Sequence, residues 1–358
     1  MGRDLTKESR ARSSAAIRRP SEYSIVDLFA GSGAFTYGLR RAGLSGKALL
    51  VDQAKDCAAT CQLNHPDDDV IEGDISTIDW SGITASVVVA GPPCQGFSSL
   101  GHRNEDDPRN YLYQAVLACV EQTQPQVLVI ENVPRFLTSK QGTDLVISLR
   151  ALGYGVRTGV IDCTTVGTPQ RRQRALISGA IDGTPAPWPI AQYGPGLQPL
   201  KTVADAFAFL PRVPDGKNWH ISISLSKEHL ERVRAIPHGG SRVDLPADLL
   251  LDCWREARGH TDVMGRLRWS QPATTLRTEF FRPEKGRFLH PSEDRSISIR
   301  EGARLQSFPD TYRFPEHLAF STIARQIGNA IPVSLAESIG QAIRRSRGYP
   351  KRASSFGV

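Results

Sequence analysis

No apolar run in this 358-residue chain approaches the length needed to cross a bilayer, and its N-terminal segment lacks the apolar core of a signal peptide. A soluble, cytoplasmic protein is therefore expected. Cysteine is sparse: the six residues at 57, 61, 94, 119, 163 and 253 include no C-x-x-C pair. They cannot form a dense disulfide framework, so free thiols are expected. Cys57, Cys61 and His65 are spaced four apart on a helical pattern and offer three candidate metal ligands. Packing against a helix face accounts for them better, and no metal is expected. A dinucleotide fingerprint is missing too. Gly31, Gly33 and Gly38 space as G-x-G-x4-G, with no glycine three residues after Gly33. That disfavours an NAD-dependent oxidoreductase and suits a nucleoside cofactor without phosphates.

What is present begins with charge. The net +7 is uneven: residues 1–20 carry six Lys/Arg and two acids, and residues 341–358 carry five Lys/Arg and no acid. These tails hold +9, leaving −2 for the body. Within it, residues 212–300 hold 16 basic and 12 acidic residues, a local +4. A polyanion partner is expected to dock on that later segment.

Residues 24–39 (SIVDLFAGSGAFTYGL) read as a buried strand, a glycine turn and an apolar-periodic helix, the opening of a βαβ unit. A second strand, Ala48–Val51, ends at Asp52, where such folds place an acid on ribose hydroxyls. A third, near residues 70–71, ends at Gly73-Asp74. Two strand-end acids beside a glycine turn imply a ligand crevice. Residues 85–90 (ASVVVA) form another buried strand, ended by Gly91-Pro92-Pro93, which puts Cys94 at a strand's carboxyl end in the setting of a nucleophile. The polar stretch after it, about residues 95–110, is long enough to close over a site. Residues 126–133 (QVLVIENV) end in Glu131-Asn132. A carboxylate following four apolar residues needs a partner or a task, and in protonated form it could donate a proton. In QRRQR (170–174), Gln170, Arg172 and Arg174 share one face if the run is extended. Residues 183–200 are rich in Pro and Gly and read as a linker. From about 200 to 325 short segments alternate with turns, and Arg266, Arg268, Arg277 and Arg282 interleave with Trp269 and Phe280. Val333–Arg344 reads as a helix that packs back on the first half.

Taken together, DLFAGSGAF (27–35), GDI (73–75), GPPCQGFS (91–98), ENV (131–133), QRRQR (170–174), REGARLQSFP (300–309) and QIGNAIPVSLA (326–336) resemble the cytosine-C5 DNA methyltransferase family, in its order, over all but the tails. Asp52 stands where the family more often has Glu, and Gln53 where some members have an aromatic residue. The resemblance implies an α/β, Rossmann-like methyltransferase domain with a mostly parallel twisted sheet, plus a smaller irregular, β-rich target-recognition domain. Its expected bounds are 22–190 with 326–345 for the discontinuous catalytic domain and 191–325 for recognition and hinge. Disordered basic tails are expected at 1–21 and 346–358.

The resemblance further implies S-adenosylmethionine as cofactor, held by Phe29, Gly31, Gly33, Asp52, Asp74, Ile75, Pro93 and Asn329, the last in a Gly328-Asn329 turn. Cys94 would attack C6 of a cytosine flipped out of duplex DNA, Glu131 would hydrogen-bond its N3 edge, and Arg172 and Arg174 would hold the reacting groups in register. Gln95, Ser98, Gln170, Thr275, Leu276, Arg266 and Arg268 would contact the DNA. A monomeric modification enzyme of a restriction-modification system is implied, its companion endonuclease not a stable subunit. A tRNA cytosine methyltransferase of the same superfamily and a catalytically silent DNA-binding regulator remain as alternatives.

Overall fold

The computed structural model describes residues 21–93, 112–255, 259 and 261–346. Seven strands form one sheet: β1 (Ser21–Leu28), β2 (Ala48–Asp52), β3 (Asp69–Glu72), β4 (Ile83–Ala90), β5 (Val127–Asn132), β6 (Gly155–Asp162) and β7 (Gln173–Ala180). Their order is β3-β2-β1-β4-β5-β7-β6, and β7 alone runs antiparallel to its neighbours. The chain leaves β1 toward β2 on one side and returns to β4 on the other, so a switch point opens at their carboxyl ends. Leu28 is level with Val51 of β2 and Ala90 of β4, and Ala90 with Ile130 of β5. Asp52, the glycine turn, Gly91 and Glu131 therefore emerge on one edge.

The central strands are apolar on both faces, as parallel strands covered on two sides must be. Ile25, Leu50, Val87, Val89, Val127 and Val129 face one core; Val26, Leu49, Val88, Leu128 and Ile130 face the other. The second core is closed by α3 (Tyr113–Thr123) and α4 (Lys140–Ala151). On the first face α1 (Ala34–Arg41) lies against α10 (Val333–Ser346), the expected return of the chain. A Cβ at Gly38 would stand 2.4 Å from the Ala336 Cβ, so only glycine permits this approach. Among the described residues no helix is long and apolar enough to cross a membrane.

The later segment departs from expectation: it is irregular but not β-rich. Among its described residues, 191–325 contribute only isolated bridges, such as Arg266 with Leu289 and Leu289 with Ser296. Its regular elements are the helices α5 (Val203–Phe207), α6 (Lys227–Ala235), α7 (Asp252–Arg255), α8 (Ile299–Leu305) and α9 (Phe320–Asn329). The physical reason is visible in its hydrogen bonds. Backbone carbonyls that strands would satisfy are taken by arginine side chains, among them Arg242, Arg266, Arg287 and Arg300. Most of its apolar residues, including Leu267, Leu276, Phe280 and Phe288, join the core on the first sheet face. A satellite cluster of Val233, Ile236, Leu245, Met264 and Leu289 packs separately. The basic tails, 1–20 and 347–358, lie outside the described residues.

Candidate active site

The glycine turn is bent hard. Phe29 takes φ +58° although it is not glycine, Gly31 takes +56° and Gly33 takes +79°. A side chain in this left-handed region costs on the order of 1 kcal/mol, and it persists only where the surroundings impose it. Those surroundings are explicit. Gly31 N–H donates to Asp52 Oδ2 at 2.8 Å, and Ala54 N–H donates to Asp52 Oδ1 at 2.8 Å, so Asp52 ties the turn to the end of β2. Burial raises the Asp52 carboxyl above its ordinary range. Beneath the turn, Asp27 is buried and accepts from Thr36 N–H at 3.1 Å and from Thr36 Oγ1 at 2.7 Å. Burial pushes its pKa up to about 6 despite those bonds.

Asp74, the second strand-end acid, caps the short turn Ile75–Thr77, accepting from Ser76 N–H at 2.9 Å through Oδ1. Its side chain is solvent-facing, and Ile75 is buried behind it. Asn329 is exposed as well. It stands in the last turn of α9 and not in the expected Gly328-Asn329 turn, because the helical pattern of Ile323, Ala324 and Ile327 continues through it.

On the other side of the switch point, Gly91 N–H donates to Leu28 O at 3.2 Å, and Asn132 Nδ2 donates to Pro92 O at 3.2 Å. The Gly91-Pro92-Pro93 segment is thus held against both β1 and β5. Glu131 stands beside it: a Cβ at Gly91 would lie 3.9 Å from Glu131 Oε2. Its carboxylate does not lack a partner, since Arg174 Nε approaches Oε1 at 2.6 Å, with both side chains largely shielded at 12% and 13% exposure. Cys94, Gln95, Ser98 and the 95–110 loop fall outside the described residues.

The alternation in QRRQR is as expected, with Gln170 and Arg172 buried, Arg174 half-buried, and Arg171 and Gln173 exposed. What the buried pair does is not. The Arg172 guanidinium donates to Leu276 O at 3.1 Å and to Gly328 O at 3.0 Å. Gln170 accepts from Leu276 N–H at 2.7 Å and donates to Gln306 Oε1 at 3.0 Å. Gln306, which the sequence alone did not single out, donates to Ile327 O at 2.8 Å. Gln170 and Leu276 are thus buried in a polar node, and Arg172 spends donors on main-chain carbonyls of two other segments. An arginine surrounded by carbonyls that cannot reach water gains more by satisfying them than by pointing outward. Thr275 is exposed, its hydroxyl donating to Arg171 O at 2.6 Å.

Arg266, expected at the DNA, is likewise committed internally. It is buried and donates to Ile236 O at 2.9 Å, Val233 O at 2.8 Å and Glu293 O at 2.7 Å, with Asp294 Oδ1 at 2.5 Å. A guanidinium so committed has no donors left for bases. Arg268 is exposed and makes one 3.2 Å bond to Gly239 O, and Arg277 is exposed with one 3.0 Å bond to Lys285 O. The crevice and the Glu131–Arg174 pair share an edge where two other strands end in acids, Asp52 at the end of β2 and Asp74 after β3. That suits a ligand with hydroxyls or positive charge and opposes a pyrophosphate.

Comparison with known proteins agrees with this geometry. The family described as C-5 cytosine-specific DNA methylase matches residues 23–345. The Type II methylase M.HgiDII of Herpetosiphon aurantiacus is 32% identical over 343 residues, covering 90% of this chain and 95% of the relative. The Type II methyltransferase M1.HphI of Haemophilus parahaemolyticus is 32% identical over 337 residues, covering 89% and 86%. Among solved structures, a DNA modification methyltransferase encoded within a prophage (E. coli) superposes with a TM-score of 0.68 at 23% identity, covering 90% of this chain and 99% of that one. The S. pombe methyltransferase Dnmt2 gives 0.64 at 16% identity, covering 91% and 99%.

Proposed function

The chain belongs to the C-5 cytosine-specific DNA methylase family and is a DNA (cytosine-5-)-methyltransferase, and from that premise we propose how its residues divide the reaction. One observation carries the reading: the Glu131–Arg174 pair lies against Gly91-Pro92-Pro93, immediately before Cys94, on the sheet edge that also carries the Asp52-tethered turn. S-adenosylmethionine, when bound, supplies an electrophilic methyl group. Phe29, Gly31, Gly33, Ile75 and Pro93 would line its crevice, Asp52 would accept from ribose hydroxyls, and Asp74 and Asn329 would complete the polar rim. Acidic groups there suit its sulfonium charge.

Cys94 would add as thiolate to C6 of a cytosine flipped from the duplex, which makes C5 nucleophilic. Glu131 would hydrogen-bond the N3 edge and stabilise the charge that enters the ring, while Arg174 fixes the orientation of its carboxylate. Loss of the C5 proton and expulsion of Cys94 would restore the thiolate. Residues 22–190 with 326–345 would form the catalytic unit, and 191–325 the part that reads DNA, through Thr275 and Arg268 in place of the buried Arg266. A cytosolic modification enzyme of a restriction-modification system, acting as a monomer, fits this reading.

The test is incubation with tritiated S-adenosylmethionine and either duplex DNA or tRNA. Label at C5 of duplex cytosine, lost in Cys94→Ala, is the expected result. Label confined to tRNA, or turnover that survives Cys94→Ala, would refute the reading.

A further inference from the structure

The cysteine and histidine that suggested a metal face, Cys61 and His65, are buried under the glycine turn on α2 (Lys55–Asn64) and its C-cap. Among the described residues no group of three or more such side chains forms a metal site. Cys61 and His65 each meet a carbonyl of the turn instead: Cys61 Sγ donates to Gly31 O at 3.3 Å, and His65 Nε2 lies 3.1 Å from Gly33 O. The carbonyl between them, Ser32 O, accepts from the hydroxyl of Tyr312, a residue 280 positions away. Every carbonyl of Gly31-Ser32-Gly33 thus has a buried side chain beneath it. Tyr312 is fully buried and held by aromatic rings, with Tyr37 edge-on at 4.8 Å and 90° and Phe308 at 4.8 Å. Its hydroxyl is therefore placed by packing.

The consequence concerns peptide orientation. The Ser32-Gly33 peptide is held at both ends, its carbonyl by Tyr312 and its N–H by Ala30 O at 2.7 Å, and Gly33 O also accepts from Tyr37 N–H at 2.9 Å. Fixing three consecutive carbonyls also removes the freedom that two glycines would otherwise give the turn. A Cβ at Gly33 would stand 2.7 Å from His65 Nε2 and 3.2 Å from Cys61 Sγ, so the contact from below is close.

We propose that Tyr312 is a positioning residue for the cofactor: with His65 and Cys61 it holds the carbonyls of the 31–33 turn so that the turn's outer side is preset for S-adenosylmethionine. This rests on the cofactor reading above. Tyr312 lies on the segment that joins α8 to α9, so the cofactor turn is buttressed from the C-terminal part of the chain.

The experiment uses the full chain and isothermal titration with S-adenosylmethionine. Tyr312→Phe keeps the ring and removes one donor. It should raise Kd about tenfold, the scale of one buried hydrogen bond, while kcat at saturating cofactor and KM for duplex DNA stay within twofold. A loss that was merely structural would instead move DNA affinity and kcat together. His65→Gln, which keeps an N–H donor, should bind more tightly than His65→Leu, which does not. Unchanged cofactor affinity in Tyr312→Phe, or equal affinities in the two His65 variants, would overturn the proposal. A wild-type chain that binds no S-adenosylmethionine would bring down the cofactor reading itself, a separate result.

Discussion

The sheet and the segment after it satisfy their backbones in opposite ways. In β1, β2, β4 and β5 strand pairs with strand, and apolar side chains fill both faces. From about 203 to 314 ladders are nearly absent among the described residues, and arginines reach inward to main-chain carbonyls. Arg266 holds four, and Arg287 holds Gly239, Gly240 and Arg266 at 2.8–2.9 Å. Arg300 serves Asn218 O at 2.9 Å and Tyr312 O at 3.1 Å. Positive charge in that segment is therefore partly a structural material. Its +4 overstates what a polyanion meets, because Arg242, Arg266 and Arg300 are buried. In the sheet half the informative charges are fewer and stand at one edge, where strands end.

This contrast can be broken, starting with the largest effect. Glu131→Gln should slow methyl transfer by roughly 10²–10⁴-fold, the range for a lost proton-handling group, with cofactor affinity nearly unchanged. Single-turnover kinetics paired with calorimetry would check both, and a parallel loss of cofactor binding would make Glu131 structural. Next, Arg266→Met should cost about 2–4 kcal/mol of stability by orphaning buried carbonyls and Asp294. Chemical denaturation would read it; an unchanged midpoint together with weakened DNA binding would restore Arg266 to the recognition surface.

Asp27 offers a pH test of the sheet half. Its folded pKa of about 6 lies above the ordinary 3.8, so the folded state holds the proton more tightly. Its contribution is fully present below about pH 4 and is lost as pH rises through 6. The change is about 2–3 kcal/mol if the full shift operates. Asp27→Asn, which can still accept from Thr36, should flatten that slope between pH 4 and 6. Denaturation midpoints across the range would show it, and a slope equal to wild type would contradict the burial of an ionisable group there.

The smallest expected effects sharpen the comparison from the other side. Arg268→Ala and Arg277→Ala remove exposed guanidiniums with one carbonyl bond each, so stability should move by no more than about 0.5 kcal/mol. DNA affinity should fall, and the dependence of log K on log salt should lose about one unit of slope for each phosphate contact removed. A salt slope unaffected by either change would place the DNA elsewhere.

Much of the cofactor edge was legible because strand ends are local events. β-branched runs closed by glycine, proline or acid located β1, β2, β4 and β5 to within a few residues, and with them Asp52, Gly91 and Glu131. β3 came out longer than read, since its mixed residues blur the pattern, and β6, with exposed residues along its length, carried no clear strand signal. The partner of Glu131 was not legible. Arg174 reaches it only because β7 runs antiparallel beside β5 and brings Ala175 level with Asn132. Likewise Gln306 and Tyr312 carry no local mark of their roles, as each acts on carbonyls contributed by distant segments.

Covalent order and side-chain type thus determined by themselves the strand–turn–helix opening, the end of β4 at Gly91-Pro92-Pro93, and membership of a methyltransferase family. Tertiary structure decided which charges work as chemistry and which as scaffold. Whether an arginine meets a carboxylate, a ring of carbonyls or water depends on which chain segments fold around it, and the free energy of a buried charge is set by those neighbours alone.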